Sequence, residues 1–167
     1  EDAKLAHNFF DVAVSNVPFG NYQVADRAYA RNHLSIHNYF FVKALDYVKP
    51  GGLVAFVTSP FTLDAVDGGA RRLFATKANL VGAIRLPVGT FKGVADTDTS
   101  TDILFFQKHG PGIPDAAEPF ADRAMLPGTD IVVNEYYARH PEMMLGTMER
   151  QGTMYRADEP VLIAPPG

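Results

Sequence analysis

An apolar run that stops at a polar, proline-containing, aromatic turn constrains this chain more than any other stretch: Phe10-Asp11-Val12-Ala13-Val14-Ser15-Asn16-Val17-Pro18-Phe19-Gly20. Val12, Ala13 and Val14 are consecutive apolar residues with β-branched ends, and they predict a short buried strand of a parallel sheet covered on both faces. Asn16 then falls at the carboxyl end of that strand. Ligands of open α/β sheets bind in the crevice outside that end, which makes Asn16 to Phe19 the candidate site.

The residue types narrow what such a site accepts. Asn16 offers a carbonyl oxygen and two amide hydrogens, Pro18 a backbone with fixed φ, Phe19 a flat apolar ring, and Gly20 close passage of the chain. A planar hydrogen-bonding ligand such as a nucleobase needs an acceptor for its exocyclic amine, a stiff wall and a ring to stack on. A plain loop turn uses Pro-Phe-Gly as well, with the asparagine as a cap, and the tripeptide alone leaves both readings open.

Downstream the pattern alternates between strand and helix. Residues 21–33 form a loop with Arg27 and Arg31 exposed, either a contact for a substrate backbone or a solvated connection. Ser35 is placed to cap a helix from Ile36 to about Val48, whose Phe41, Ala44, Leu45 and Val48 recur at helical spacing. Lys49-Pro50-Gly51-Gly52 is expected to end that helix and turn the chain. Leu53 to Thr58 predicts a second strand parallel to the first, with Thr58-Ser59-Pro60-Phe61 at the same carboxyl edge. Residues 63–69 read as a loop, and 70–77 as a short helix whose Arg71, Arg72 and Lys77 meet either phosphate or solvent. Leu80 to Leu86 and Ile103 to Phe106 predict two more strands. From Gly110 to Asp130 the composition is that of a connecting arm. Val133 to Arg139 reads as a brief helix, and 145–150 with 161–164 as a hairpin around Gly152.

With 167 residues, 47% of them hydrophobic and 20% charged, the chain suits one globular domain. No apolar run approaches the roughly 20 residues needed to cross a bilayer, so a soluble, cytoplasmic protein is expected. The absence of cysteine rules out disulfides and thiolate zinc sites. His33 and His37 have zinc-protease spacing, but Leu34 stands where the general-base glutamate belongs. Asp96 to Ser100 mimics a calcium loop, yet Thr101 and Gln107 replace its required glycine and glutamate. A net charge of −4 weighs against a free-standing nucleic-acid binder. That objection weakens for a piece of a longer polypeptide, and a chain that opens at Glu1 and reaches its first strand almost at once reads as such a piece.

Asn16 to Phe19 resembles the Asn-Pro-Pro-Tyr/Phe signature of class I S-adenosylmethionine-dependent amino methyltransferases, with Val17 in place of the first proline. More closely, the run from Phe10 to Lys108 resembles the catalytic half of adenine-N6 DNA methyltransferases within large bacterial helicase–methylase proteins. The matching segments are Asn16 to Gly20, Ser35 to Phe41, Pro50 to Gly52 and Ile84 to Pro87.

The resemblance implies an α/β fold: the C-terminal half of a Rossmann-like methyltransferase sheet, ordered first, second, fourth, third with the fourth strand antiparallel, and flanked by helices. It implies residues 1–110 as the C-terminal, catalytic half of the methyltransferase core; the composition of 111–167 reads as a linker with a short helix and a hairpin. Asn16, Val17, Pro18 and Phe19 would be catalytic, Phe91 and Lys92 substrate-binding, and Asn16 and Pro18 in contact with the cofactor. S-adenosylmethionine would be held mainly by elements outside this chain. The implied partners are DNA through the parent protein, the other half of the methyltransferase, a helicase domain, and a second copy through the open sheet edge. Protein-glutamine methylation uses a similar turn but fits Phe19 and the downstream segments less well, while a non-catalytic scaffold or DNA-contact module stays open. A generic nucleotide-binding fold is disfavoured because no phosphate loop is present.

Overall fold

The computed structural model describes residues 5–20, 22, 24–91, 99–114, 118–153 and 156–165. β1 (Phe10–Asn16) leads through a loop with a 3-10 turn at Ala30–Asn32 into α1 (Ile36–Tyr47), which passes directly into β2 (Val48–Thr58). Two short helices, α2 (Phe61–Asp64) and α3 (Gly69–Ala75), precede β3 (Ala78–Leu86) and β4 (Thr101–Lys108). The sheet is ordered β1-β2-β4-β3, with β1 and β2 parallel and β4 antiparallel to both of its neighbours. This is the expected mixed α/β arrangement, reversed fourth strand included. It brings the carboxyl ends of β1, β2 and β3 to one edge, where Asn16, Val57, Ile103 and Ile84 form one row across the sheet.

Alternation along the strands decides which face is covered. Val54, Phe56, Leu104 and Phe106 are buried, whereas Ala55, Val57, Ile103 and Phe105 between them keep partial exposure. The buried set meets α1 and α3 through a group of rings: Phe41 lies 5.0 Å from Phe56 and 5.6 Å from both Phe74 and Phe106 between centroids. Tilted and edge-on rings at these separations are favourable, and they fix α1 over the sheet.

β1 departs from the expected buried strand. Val12 is 50% and Val14 76% exposed, because β1 is the sheet's edge and no described element covers its outer side. Two smaller corrections concern α1. Ser35 does not cap it through a side-chain bond to the backbone; its Oγ lies 3.0 Å from His37 Nε2 instead. Nor does Lys49-Pro50-Gly51-Gly52 end the helix, for Val48 already pairs with Phe10, and the Pro-Gly-Gly segment forms a bulge before Leu53 pairs with Val12. Gly51 there has φ +80°, and a Cβ at Gly52 would come within 2.8 Å of the Lys49 carbonyl oxygen and 3.0 Å of that of Asp11. Both positions therefore need glycine.

The remaining elements are β5 (Arg123–Met125), β6 (Val132–Asn134), α4 (Glu135–Arg139), a 3-10 turn at Pro141–Met143, and the hairpin β7 (Thr147–Thr153) with β8 (Arg156–Ile163). They extend the main core: Phe120, Val133, Tyr137 and Leu162 join the same apolar cluster as the sheet. Asn134 is fully buried, its Nδ2 donating to the carbonyls of Leu63, Phe120 and Asp122 while its Oδ1 accepts from the Tyr136 N–H. One asparagine thus caps α4 and ties it to α2. No helix among the described residues is long and apolar enough to cross a membrane.

Candidate active site

β1 delivers Asn16 to the carboxyl edge of the sheet. Asn16 and Pro18 are exposed, Phe19 is half-buried and Val17 is only 2% exposed. The Val17 N–H donates to the Val57 carbonyl at 3.0 Å, so pairing with β2 continues one residue past the end of β1. Side-chain burial and this bond hold the Val17 peptide where a proline ring would otherwise supply stiffness. The Asn16 amide has no hydrogen-bond partner among the described residues, so both its oxygen and its NH2 are free for a ligand.

One strand row beyond Asn16, at Thr58–Asp102–Arg85, lies a buried ionic cluster. Arg85 Nε and Nη2 donate to the two oxygens of Asp102, both at 2.8 Å, and Nη1 donates to Asp64 Oδ2 at 2.6 Å. The guanidinium sits 4.4 Å from the Tyr137 ring centroid. Burial alone would favour a neutral Arg85, but Asp102 and Asp64 outweigh it and hold the guanidinium charged, well above its ordinary pKa. Asp64 Oδ1 accepts the Asn134 N–H at 2.7 Å, so the cluster links β3, β4, α2 and the C-terminal segment. Sequence reasoning noted Arg85 only within Ile84 to Pro87. The signal available was a lone cation and a lone carboxylate, each interrupting an apolar strand, since buried charges of that kind are paired.

The β3–β4 loop carries the other candidate residues. Phe91 is half-buried, and Lys92 lies outside the described residues. The loop's neck is gripped by β8: the Val88 N–H donates to the Leu162 carbonyl at 2.9 Å, and the Leu162 N–H donates to Ser100 Oγ at 3.0 Å. Phe19 and Phe91 share no ring contact among the described residues, and β1 and β3 are opposite edges of the sheet, about 14 Å apart at ordinary strand spacing. Asn16 to Phe19 follow one another at the end of β1, while Phe91 is carried by the connection that leaves the opposite edge strand, β3. The basic residues of α3 are engaged internally: Arg71 donates to the carbonyls of Ala65 and Ala121, and Arg72 pairs with Asp67.

Beside β1 and α1 runs a groove of about 920 Å3, lined by Val12, Val14, Tyr22, Ile36, Phe40 and Tyr47 among others. Its lining ends at Ser15, next to Asn16.

No family model matches the chain. It is 36% identical over 104 residues to the defense against restriction protein B of Escherichia phage P1, a match that spans 60% of this chain and 4% of that protein. A Listeria monocytogenes protein described as a class I S-adenosylmethionine-dependent methyltransferase superposes with a TM-score of 0.56 at 25% identity, over 70% of this chain and 37% of its own. A type I restriction enzyme modification subunit from Vibrio vulnificus aligns at 17% identity with a TM-score of 0.48, over 92% of this chain and 37% of its own. By the Listeria structure, the fold is similar to that of a class I S-adenosylmethionine-dependent methyltransferase, of whose length this chain spans 37%.

Proposed function

We propose that the chain is the substrate-side part of an S-adenosylmethionine-dependent methyltransferase acting on the exocyclic amine of adenine flipped out of DNA. The observation that carries this is an unpartnered Asn16 amide at the carboxyl edge of a methyltransferase-like sheet, followed by a peptide whose position is fixed by Val17 burial and pairing to Val57.

An adenine amine is a weak nucleophile because its lone pair is delocalised into the ring. Asn16 Oδ1 and the Val17 carbonyl accept its two hydrogens, which favours a tetrahedral nitrogen and places electron density on it. Phe19 stacks on the base and Pro18 stiffens the wall, with Phe91 and Lys92 closing on it from the far side of the crevice. S-adenosylmethionine, when bound, supplies the electrophilic methyl group. Of this chain's residues, Asn16 and Pro18 meet only its reactive end.

The bare edge of β1 and the groove beside it are where the other half of the methyltransferase would pair, an unprotected edge being a template for another strand. In its absence a second copy fills that role. We take residues 1–110 as the catalytic half and 111–167 as its buttress, within a parent that also carries a helicase domain. The phage P1 relative, named for defence against restriction, fits a DNA-directed activity, since modified bases escape restriction.

The test is methyl transfer by the full-length parent protein to adenine in duplex DNA, with a glutamine-containing peptide as the competing substrate. Asn16→Ala is expected to lower kcat by roughly 10²–10³ while DNA affinity is retained. Undiminished turnover in that variant refutes the assignment of Asn16, and methylation of the peptide alone moves the activity to protein glutamine.

A further inference from the structure

The chain is acidic overall, yet its cations are unevenly used. Lys43, Lys49, Arg72, Lys77, Arg85 and Arg150 each pair with a carboxylate. Arg71, Lys108 and Arg123 donate to backbone carbonyls. Of the lysine and arginine side chains that the structure describes, Arg27, Arg31 and Arg139 remain without a polar partner, and all three are exposed. Arg27 and Arg31 belong to the loop that follows the candidate site, where His33 is exposed as well.

Residues 26–32 of that loop are tied down by hydrogen bonds. Asp26 accepts from the Tyr39 hydroxyl at 2.8 Å, from Lys43 Nζ at 3.1 Å and from the Ala28 N–H at 3.0 Å, and the Tyr29 hydroxyl donates to Asp46 at 2.9 Å. Asp46 is itself paired with Lys77 at 2.7 Å. The neighbouring carboxylates are thereby used up against α1, and two successive turns, Tyr29 N–H to the Asp26 carbonyl and Asn32 N–H to the Tyr29 carbonyl, carry Arg27 and Arg31. The same loop lies against the end of β1, for Tyr22, Val24 and Ala25 share the groove lining with Val14 and Ser15.

We propose that the turn at residues 26–33 is a phosphate clamp, with Arg27 and Arg31 neutralising backbone phosphates of the DNA strand that presents a base to Asn16 and Phe19. The assignment rests on the reading of the site as DNA-directed. Free arginines on a pre-ordered turn suit phosphate, because their charge is not already spent and little side-chain order is lost elsewhere on binding. Overall acidity is no obstacle when the positive charge is local.

The test uses the full-length protein, an adenine-containing DNA duplex, and anisotropy titrations across a salt series. Two lost phosphate contacts flatten the plot of log affinity against log salt by about 1.8, so the advantage of the wild type over Arg27→Ala/Arg31→Ala shrinks about twelvefold between roughly 50 and 200 mM salt. In the methylation assay the same variant raises KM for DNA and leaves kcat intact. Arg27→Lys/Arg31→Lys keeps the wild-type slope, and so does Arg139→Ala. A double alanine variant with wild-type slope and affinity, in a protein that methylates DNA, overturns the clamp and leaves the reaction standing. Equal flattening by Arg139→Ala overturns its location. A wild type that neither binds nor methylates DNA overturns both readings.

Discussion

Asp102→Ala removes both oxygens that grip a guanidinium only 2% exposed, and Asp102 itself is fully buried. Breaking a buried ion pair from one side generally costs about 3–5 kcal/mol, because the remaining charge keeps its desolvation penalty without compensation. Here Asp64 stays at 2.6 Å and the Tyr137 face at 4.4 Å, so the loss falls at the lower end, about 3 kcal/mol. For a domain of this size that corresponds to a drop in Tm of roughly 6–12 °C. Arg85→Met/Asp102→Leu removes both charges at similar volume and is expected within about 1 kcal/mol of wild type, since Asp64 retains the Asn134 N–H and some solvent. Urea denaturation of the wild type, Arg85→Met, Asp102→Leu and the pair closes a double-mutant cycle, with the m value checking that the unfolded reference is unchanged. A cost below about 1 kcal/mol for Asp102→Ala, or single-variant costs that simply add in the pair, refutes the view that this cluster locks β3 and β4 to α2.

Phe91→Ala in the full-length protein removes one stacking face and weakens binding of the target base by roughly 1–3 kcal/mol, about 5- to 150-fold in KM for DNA; an unchanged KM places Phe91 outside the base slot. Through its exposed β1 edge the 167-residue chain is expected to self-associate in light scattering, and Val14→Lys to shift it toward monomer, whereas a wild type that stays monomeric at high concentration contradicts the open-edge argument. His37 is buried, with Nδ1 unpartnered among the described residues, and burial lowers its pKa. Its contribution is therefore complete above the unfolded value of about 6.5 and declines as pH falls toward the lower folded value, by up to about 1.4 kcal/mol per pH unit. His37→Phe should flatten stability across that window, and an identical pH profile in the variant shows that His37 is not the titrating group.

The linear order of residues was enough to specify the strand-helix-strand alternation, the position of Asn16 at a strand's carboxyl end and the helical face built on Phe41 and Leu45. These follow from local periodicity and from punctuation by proline and glycine, which act over a few residues. The exposure of Val12 and Val14 was not legible in the local pattern, because an apolar triplet looks alike in a central strand and at an edge; only the strand order implied by the resemblance put β1 at an open edge. Arg71 read as meeting phosphate or solvent, and Arg85 as one residue of a strand, until groups as distant as Asp64, Asp102 and Ala121 closed around them. The same holds for Arg27 and Arg31, whose freedom emerges only once every other described cation except Arg139 is seen to be engaged. Pairing between groups far apart in sequence, and competition among charges for partners, are properties of the packed chain, and it was the tertiary structure that decided them.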